Sequence, residues 1–323
     1  MSSEGSQFVS LDKDGLHLLD VQEKKSVKLG LPFALPDKTE PVCVLHCNGM
    51  LCLTLEYSNS RFTKKQDNSL VILNPATNRF KFIPVVKPGQ RSDVFGFGYD
   101  KFSDDYKIVT IIEGRTYIFK FKSNCWEESK PVPSHDFVFK YRAGGTVVDN
   151  NMYWIAYRSD KKENSILSFD FTKEEFQEQT LPINSRWKIN SWLGVLRGEV
   201  CVIDHYPDLA DDISVYAPQR SGPKIVRWDS SVWVRTRKAL SLRGPIKIAA
   251  ACVTGGGELV ITLTGYKGHD RYGDKMLVYE AKDEKFREIR FENTSLRGVR
   301  CMCEYAKSSS FVSVSVDKPK TKC

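Results

Sequence analysis

The chain has 323 residues, of which 41% are hydrophobic and 27% charged, an ordinary globular balance with a formal net charge of +8. No apolar run is long enough to cross a bilayer as a helix, so no membrane partner is expected, and the opening Met-Ser-Ser-Glu-Gly-Ser-Gln lacks the basic and apolar regions of a signal peptide. Nine cysteines, scattered mostly through apolar runs, read as reduced thiols, which sets the expected location as cytoplasmic and/or nuclear.

Taken in order, residues 16–21 and 26–29 read as two strands that lack partners nearby. Residues 41–47 then turn at Asn48-Gly49, a hairpin dipeptide because both residues tolerate positive φ. Residues 50–57 return, a long polar loop follows, and residues 70–73 turn through Asn74-Pro75-Ala76-Thr77 into 79–84. The plan repeats: 94–99 and 106–112 flank Asp104-Asp105, 116–122 alternates with Tyr117, Phe119 and Phe121 on one face, and Trp126 anchors an outer strand. It repeats again over 145–148, 152–157, 166–171 and 176–181. Pro32, Pro84, Pro133 and Pro182 each follow an apolar run, at intervals of 52, 49 and 49 residues. A period near 50 is that of kelch-type propeller blades, one four-stranded sheet per repeat.

Two looser units follow. One uses 192–196, 199–203 and 213–216, with 232–240 as the choice for an unclear fourth strand; the other uses 246–253, 258–263, 276–279 and 286–291. Residues 300–305 and 311–316 are the last strands. Two strands from each end would complete one blade. The expected fold is therefore all-β, a single β-propeller of about six four-stranded blades over residues 1–317, its ring closed by strands from both termini. Residues 318–323 form a basic tail, read as a disordered end rather than a nuclear address.

Several strings carry a resemblance. Cys47-Asn48-Gly49-Met50-Leu51-Cys52, Leu73-Asn74-Pro75-Ala76-Thr77, Gly96-Phe97-Gly98-Tyr99-Asp100 with Asp104 to Val109, and Ser168-Phe169-Asp170 with Glu174-Glu175-Phe176 and Leu181-Pro182 resemble, in order and spacing, the F-box-associated, kelch-like domain of plant F-box proteins. The likeness covers about residues 40 to 200 well and is weaker beyond. It implies the substrate-recognition propeller of an SCF ubiquitin ligase subunit, hence a role in ubiquitin-dependent protein degradation if joined to or acting with an F-box. The first 40 residues already read as blade strands, so the F-box is expected to be missing and direct binding to the SCF adaptor is not expected. A truncated receptor, a decoy and an isolated domain all remain open. The segment 217–229 departs from the family pattern.

Chemistry-bearing patterns are few. Cys43, His46, Cys47 and Cys52 are close in sequence, but they straddle a hairpin within apolar strands, so packed thiols are expected rather than zinc. Adjacent carboxylates at Asp104-Asp105 and Asp211-Asp212 point to opposite faces and do not form an acid/base pair. No catalytic residue, metal site or cofactor is expected, and the chain is not read as an enzyme.

Binding is expected on one rim. Within each blade the first-to-second and third-to-fourth connections read as tight, while the second-to-third and interblade connections read as long and share a side. That side carries Arg61, Phe62, Lys64 and Lys65; Phe137, Phe139, Lys140 and Arg142; Arg186, Trp187 and Lys188; and Tyr266, His269, Arg271 and Tyr272. Aromatic and arginine side chains are common interface anchors. The expected partner is a protein target with an acidic patch. The alternatives are a glycosidase-like enzyme propeller and a single-stranded nucleic-acid binder using the basic, aromatic rim, with nucleic acid the less expected partner.

Overall fold

The computed structural model describes residues 7–12, 14–36, 39–57, 69–84, 86–87, 92, 94–139, 143–181, 190–206, 212–221, 224–240, 247–254, 257–264, 275–292, 299 and 301–305. The chain divides into two compact units, Met1–Lys28 with Arg158–Ile166 and Gln179–Glu304, and Leu29–Tyr157 with Leu167–Glu178 and Tyr305–Cys323.

The strands run as follows. β1 (Gln7–Asp12), β2 (Gly15–Asp20) and β3 (Lys25–Leu29) are followed by β4 (Thr39–Cys47), β5 (Met50–Tyr57), β6 (Ser69–Asn74) and β7 (Arg79–Ile83). Next come β8 (Val94–Asp100), β9 (Asp105–Ile112), β10 (Arg115–Lys120) and β11 (Cys125–Glu128). Then follow β12 (Phe137–Phe139), β13 (Ala143–Gly144), β14 (Thr146–Val148), β15 (Asn151–Arg158), β16 (Glu163–Asp170) and β17 (Glu175–Thr180). The last groups are β18 (Asn190–Leu196), β19 (Glu199–Tyr206), β20 (Asp212–Ser221) and β21 (Lys224–Val234), helix α1 (Thr236–Leu240), β22 (Ile248–Val253), β23 (Leu259–Leu263), β24 (Lys275–Glu280), β25 (Lys285–Ile289) and β26 (Cys301–Tyr305).

They make six sheets, ordered β26-β1-β2-β3, β4 to β7, β8 to β11, β12-β15-β16-β17, β18 to β21 and β22 to β25. Two sheets carry a fifth strand: β13 adds to β8, and β14 pairs β15. The pairings β4–β5, β8–β9 and β19–β20 are antiparallel, whereas β13 lies parallel to β8. Six such sheets in succession, one shared by the two chain ends, are the blades of a β-propeller, as the repeat predicts.

Turn chemistry sets this repetition. Among the described residues, turns that open on a side chain capping its own backbone recur, four of them as follows. Asp20 Oδ1 accepts the amides of Gln22 and Glu23 at 3.1 and 2.9 Å, and Asn74 Oδ1 those of Ala76 and Thr77 at 3.0 and 3.3 Å. Asp170 Oδ1 accepts Thr172 and Lys173 at 2.8 and 3.0 Å, and Asp100 Oδ1 accepts Phe102 at 3.0 Å. Each of these turns closes on a residue with positive φ: Lys24, Asn78, Glu174 and Asp104. Short carboxylate and amide side chains favour such turns because they mimic a backbone acceptor. The "Asn-Pro-Ala-Thr" and "Ser-Phe-Asp" strings are thus turn signals.

The structure corrects three expectations. The shared blade takes three strands from the N-terminus and one from the C-terminus, not two from each; β1 fills the place between β26 and β2. Residues 311–316 lie outside the described residues. The fourth strand of the fifth sheet is β21, and the sequence choice of 232–240 ends in helix α1. Residues 217–221 and 224–229 extend the pairing of β20 with β21, with register shifts at Val215/Tyr216 and Gln219/Arg220. Finally, the second-to-third connections are not all long: β9 and β10 are joined by Glu113-Gly114 alone, both at positive φ.

Candidate interaction surfaces

Of the fifteen residues proposed for the rim, Phe137 and Phe139 are described. Arg61, Phe62, Lys64, Lys65, Arg142, Arg186, Trp187, Lys188, Tyr266, His269, Arg271 and Tyr272 lie outside the described residues, as does Lys140. Phe137 is buried in one cluster with Val94, Val109, Met152 and Trp154, and Phe139 packs on the same cluster. Their rings stack at 6.3 Å. Between them Val138 is half exposed and takes the outward position on β12. Alternation along a three-residue strand explains the inversion, since Phe137 and Phe139 share the inner face.

Sequence reasoning missed two aromatic residues at the β19–β20 connection. Trp233 near the end of β21 is 54% exposed, the largest exposed aromatic side chain among the described residues of its unit. Its indole N–H donates to Asp212 Oδ2 at 3.2 Å, and its ring stacks nearly parallel, at 12°, on Tyr206 at the end of β19. Hydrogen bond and stacking fix the ring, so little side-chain entropy would be lost on contact. The signal was in the sequence: Val232 and Val234 alternate with Trp233, which places the indole on the opposite face.

Below it lies a buried polar row. Ser191, Asp204 and Ser214 stand directly opposite one another across β18, β19 and β20. Asp204 is 3% exposed, and burial pushes its carboxyl above the usual range despite a hydrogen bond from the Tyr206 hydroxyl.

The family strings occupy a different place, where they tie neighbouring sheets in the second unit. Lys107 of β9 is buried and pairs with Asp100 Oδ2 at 3.0 Å and Glu174 Oε1 at 3.0 Å, and its ammonium also donates to the Phe171 carbonyl at 2.6 Å. Thr172 donates to Asp100 at 2.8 Å. Burial pushes the Asp100 carboxyl up, but hydrogen bonds from Ser103, Lys107, Thr172 and the Phe102 amide outweigh it and hold the group well below the usual carboxylate range. Gly96 and Gly98 are the close-approach points. A Cβ on Gly98 would stand 2.2 Å from the Phe171 ring, and one on Gly96 2.8 Å from Met152 and Trp154. Trp154 completes the tie by donating to the Phe95 carbonyl at 3.1 Å. Phe102, in the turn that Asp100 caps, is 82% exposed.

In the cysteine-rich hairpin Cys43, Cys47 and Cys52 are all buried free cysteines. Burial pushes the Cys47 thiol up to about 12 and the Cys52 thiol up as well, so neither is a ready thiolate. Among the described residues no group of three His, Cys, Asp or Glu side chains is placed to hold a metal ion.

Six blades, sheet-to-sheet ties at glycines and a buried lysine, and a blade shared by both ends define the class: a β-propeller whose recurring strings serve its packing. The chain belongs to the F-box associated β-propeller domain family, whose model matches residues 7–312. A protein of Arabidopsis thaliana named for an F-box is 31% identical over 323 aligned residues, covering 95% of this chain and 85% of the relative. A second Arabidopsis protein so named is 26% identical and matches 71% of this chain, which spans 62% of that relative's length. An Arabidopsis F-box/LRR-repeat/kelch-repeat protein is 35% identical over 155 residues, 46% of this chain and 41% of its own. Among solved structures, the nidogen/laminin complex contains a chain similar in fold at a TM-score of 0.55 and 9% identity, with 94% of this chain and all of that one covered. A Lactobacillus plantarum protein aligns at a TM-score of 0.53 and 10% identity, with 93% and 99% covered. At such identities these two show the propeller fold alone.

Proposed function

We propose that the chain is a protein-interaction module: the substrate-recognition propeller of an F-box receptor, serving ubiquitin-dependent degradation when joined to or acting with an F-box. The family match across residues 7–312 carries this reading. The chemistry of the described residues supports it, because the buried charges and thiols are engaged in packing. Binding, not turnover, is the activity expected, and the target is a protein with an acidic patch that meets the basic connections.

The test starts from targets captured from plant extract and confirmed by reconstitution with purified protein. Trp187→Ala should weaken a confirmed complex by about 2 kcal/mol if the indole is an anchor. Reversing Lys64 and Lys65 to Glu should mainly slow association, since charge at the edge of an interface acts on encounter. Reversing Lys282 and Lys285, at a tight turn, should do little. Loss of binding in the Lys282/Lys285 variant alone would invert the face assignment. Failure of any purified protein to bind would remove the reading.

A further inference from the structure

The hairpin that opens the second sheet carries a chemical constellation that packing does not require. β4 and β5 are joined by Asn48 and Gly49, at φ of 46° and 75°. This is the chain's single Asn-Gly pair. The Gly49 amide N–H points at His46 Nε2 and donates to it at 3.0 Å. The His46 ring packs on Tyr305, centroid to centroid at 4.9 Å. Asn48 is exposed to solvent, yet its side chain is hydrogen-bonded to the hydroxyl of Tyr106 on β9.

An asparagine followed by glycine can lose ammonia when the next backbone nitrogen attacks the side-chain carbonyl carbon. The step needs three things: a nucleophile freed of its proton, a carboxamide held in reach, and a proton for the departing nitrogen. Here an imidazole sits on the one proton that must leave. A phenol is hydrogen-bonded to the carboxamide side chain. Glycine adds no Cβ to obstruct the approach.

We propose that Asn48-Gly49 is a self-modifying site, at which His46 acts as general base and Tyr106 positions the amide for conversion of Asn48 to aspartate or isoaspartate. The Gly49 nitrogen forms a bond to Asn48 Cγ and gives its proton to His46 Nε2. The Cγ–Nδ2 bond then breaks, and ammonia leaves with that proton. Water opens the resulting cyclic imide at either carbonyl, leaving an aspartate or an isoaspartate in place of Asn48; no oxidant or reductant is involved. Tyr106 is pushed up to about 12 by burial, so it keeps its proton throughout at neutral pH. The isomer would insert a methylene into the two-residue turn that sets the Cys47–Met50 pairing, and so would strain the register of β4 on β5. The site would act as an age mark on the blade that carries the "Cys-Asn-Gly" string.

The full chain, folded in neutral buffer at physiological temperature and sampled over days, tests this by peptide mapping with mass spectrometry. The same chain unfolded in urea is the reference, because it keeps the sequence and loses the placement. Asn48 should convert ahead of every other asparagine, and faster in the folded chain than in urea. His46→Gln should slow the folded rate by roughly tenfold or more, a modest share of what a positioned base contributes. Tyr106→Phe should slow it less, with circular dichroism confirming both folds. Asn48 kept intact in the folded chain but lost in urea would overturn the proposal, showing that the turn protects the amide. An unchanged rate in a folded His46→Gln variant would overturn the role of the base.

Discussion

The sheets β8 to β11 and β12 to β17 contrast with the sheet β18 to β21. In the first pair, short turns capped by Asp100 and Asp170 meet a buried lysine, and glycines let one sheet approach the side chains of the next. In the fifth sheet the outer hairpin lengthens to Asp212–Ser221 and Lys224–Val234, its register slips twice, and a short helix follows. The first region is specified by tight pairwise fit, the second by burial of a broad apolar face including Ile203, Ile213, Val215 and Val234. Fit leaves recognisable strings because few residues satisfy it. Apolar burial leaves none, because many residues do.

The comparison can be broken first at Lys107. Lys107→Ala would leave Asp100 and Glu174 without their buried cation, and should cost about 3 kcal/mol or more, as removing one partner of a buried pair does. Chemical denaturation reads this directly. The acid limb sharpens it. Asp100 is held below its ordinary pKa, so its contribution to stability is present above that ordinary value and is lost as pH falls through the depressed one. In the alanine variant this loss should begin at higher pH. A variant with the wild-type midpoint and acid limb would show that the network is not the tie.

A smaller effect is expected at the close approach. Gly98→Ala places a methyl against the fully buried Phe171 ring and should cost about 1–3 kcal/mol by overpacking. Gly30→Ala, with nothing within 4 Å of the added carbon, is the control and should be close to neutral. Equal thermal midpoints for the two variants would contradict the role given to the Gly-Phe-Gly string.

The smallest effect belongs to the fifth sheet. Burial raises the Asp204 carboxyl above its ordinary pKa, so folding is favoured while the group is protonated and that advantage is lost as pH rises through the folded value. Asp204→Asn should therefore raise the melting temperature at neutral pH and have little effect under acid conditions. A melting temperature lowered at neutral pH would mean that the charged form is the one this blade uses.

Much of the fold was legible because period and turn chemistry agree. The strands around Asn48-Gly49 and Asn74 to Thr77 fall where alternation and turn residues place them. β1 was not legible, because Ser10 and Asp12 are polar yet buried, so Gln7 to Asp12 does not alternate as a half-exposed strand does. β21 was legible only at its end, Val232 to Val234, because the rest of it pairs across a register shift in the segment that departs from the family pattern. The candidate binding residues were the least legible. Loops have no period, and on the short strand β12 the choice of outward residue fell on Phe137 and Phe139 where Val138 points out. Trp233 was readable by alternation, once the strand containing it is placed.

Closure of the propeller depends on the blade shared by the chain ends, three strands from one and one from the other. Native-state hydrogen exchange, followed as denaturant is raised, measures it directly, because amides of one cooperative unit open together. The amides of Cys301–Tyr305 and those of Gln7–Asp12 should merge into a single opening that coincides with global unfolding. Exchange of Cys301–Tyr305 through a separate, low-energy opening while Gln7–Asp12 stays protected would contradict the closure of the propeller by its two ends.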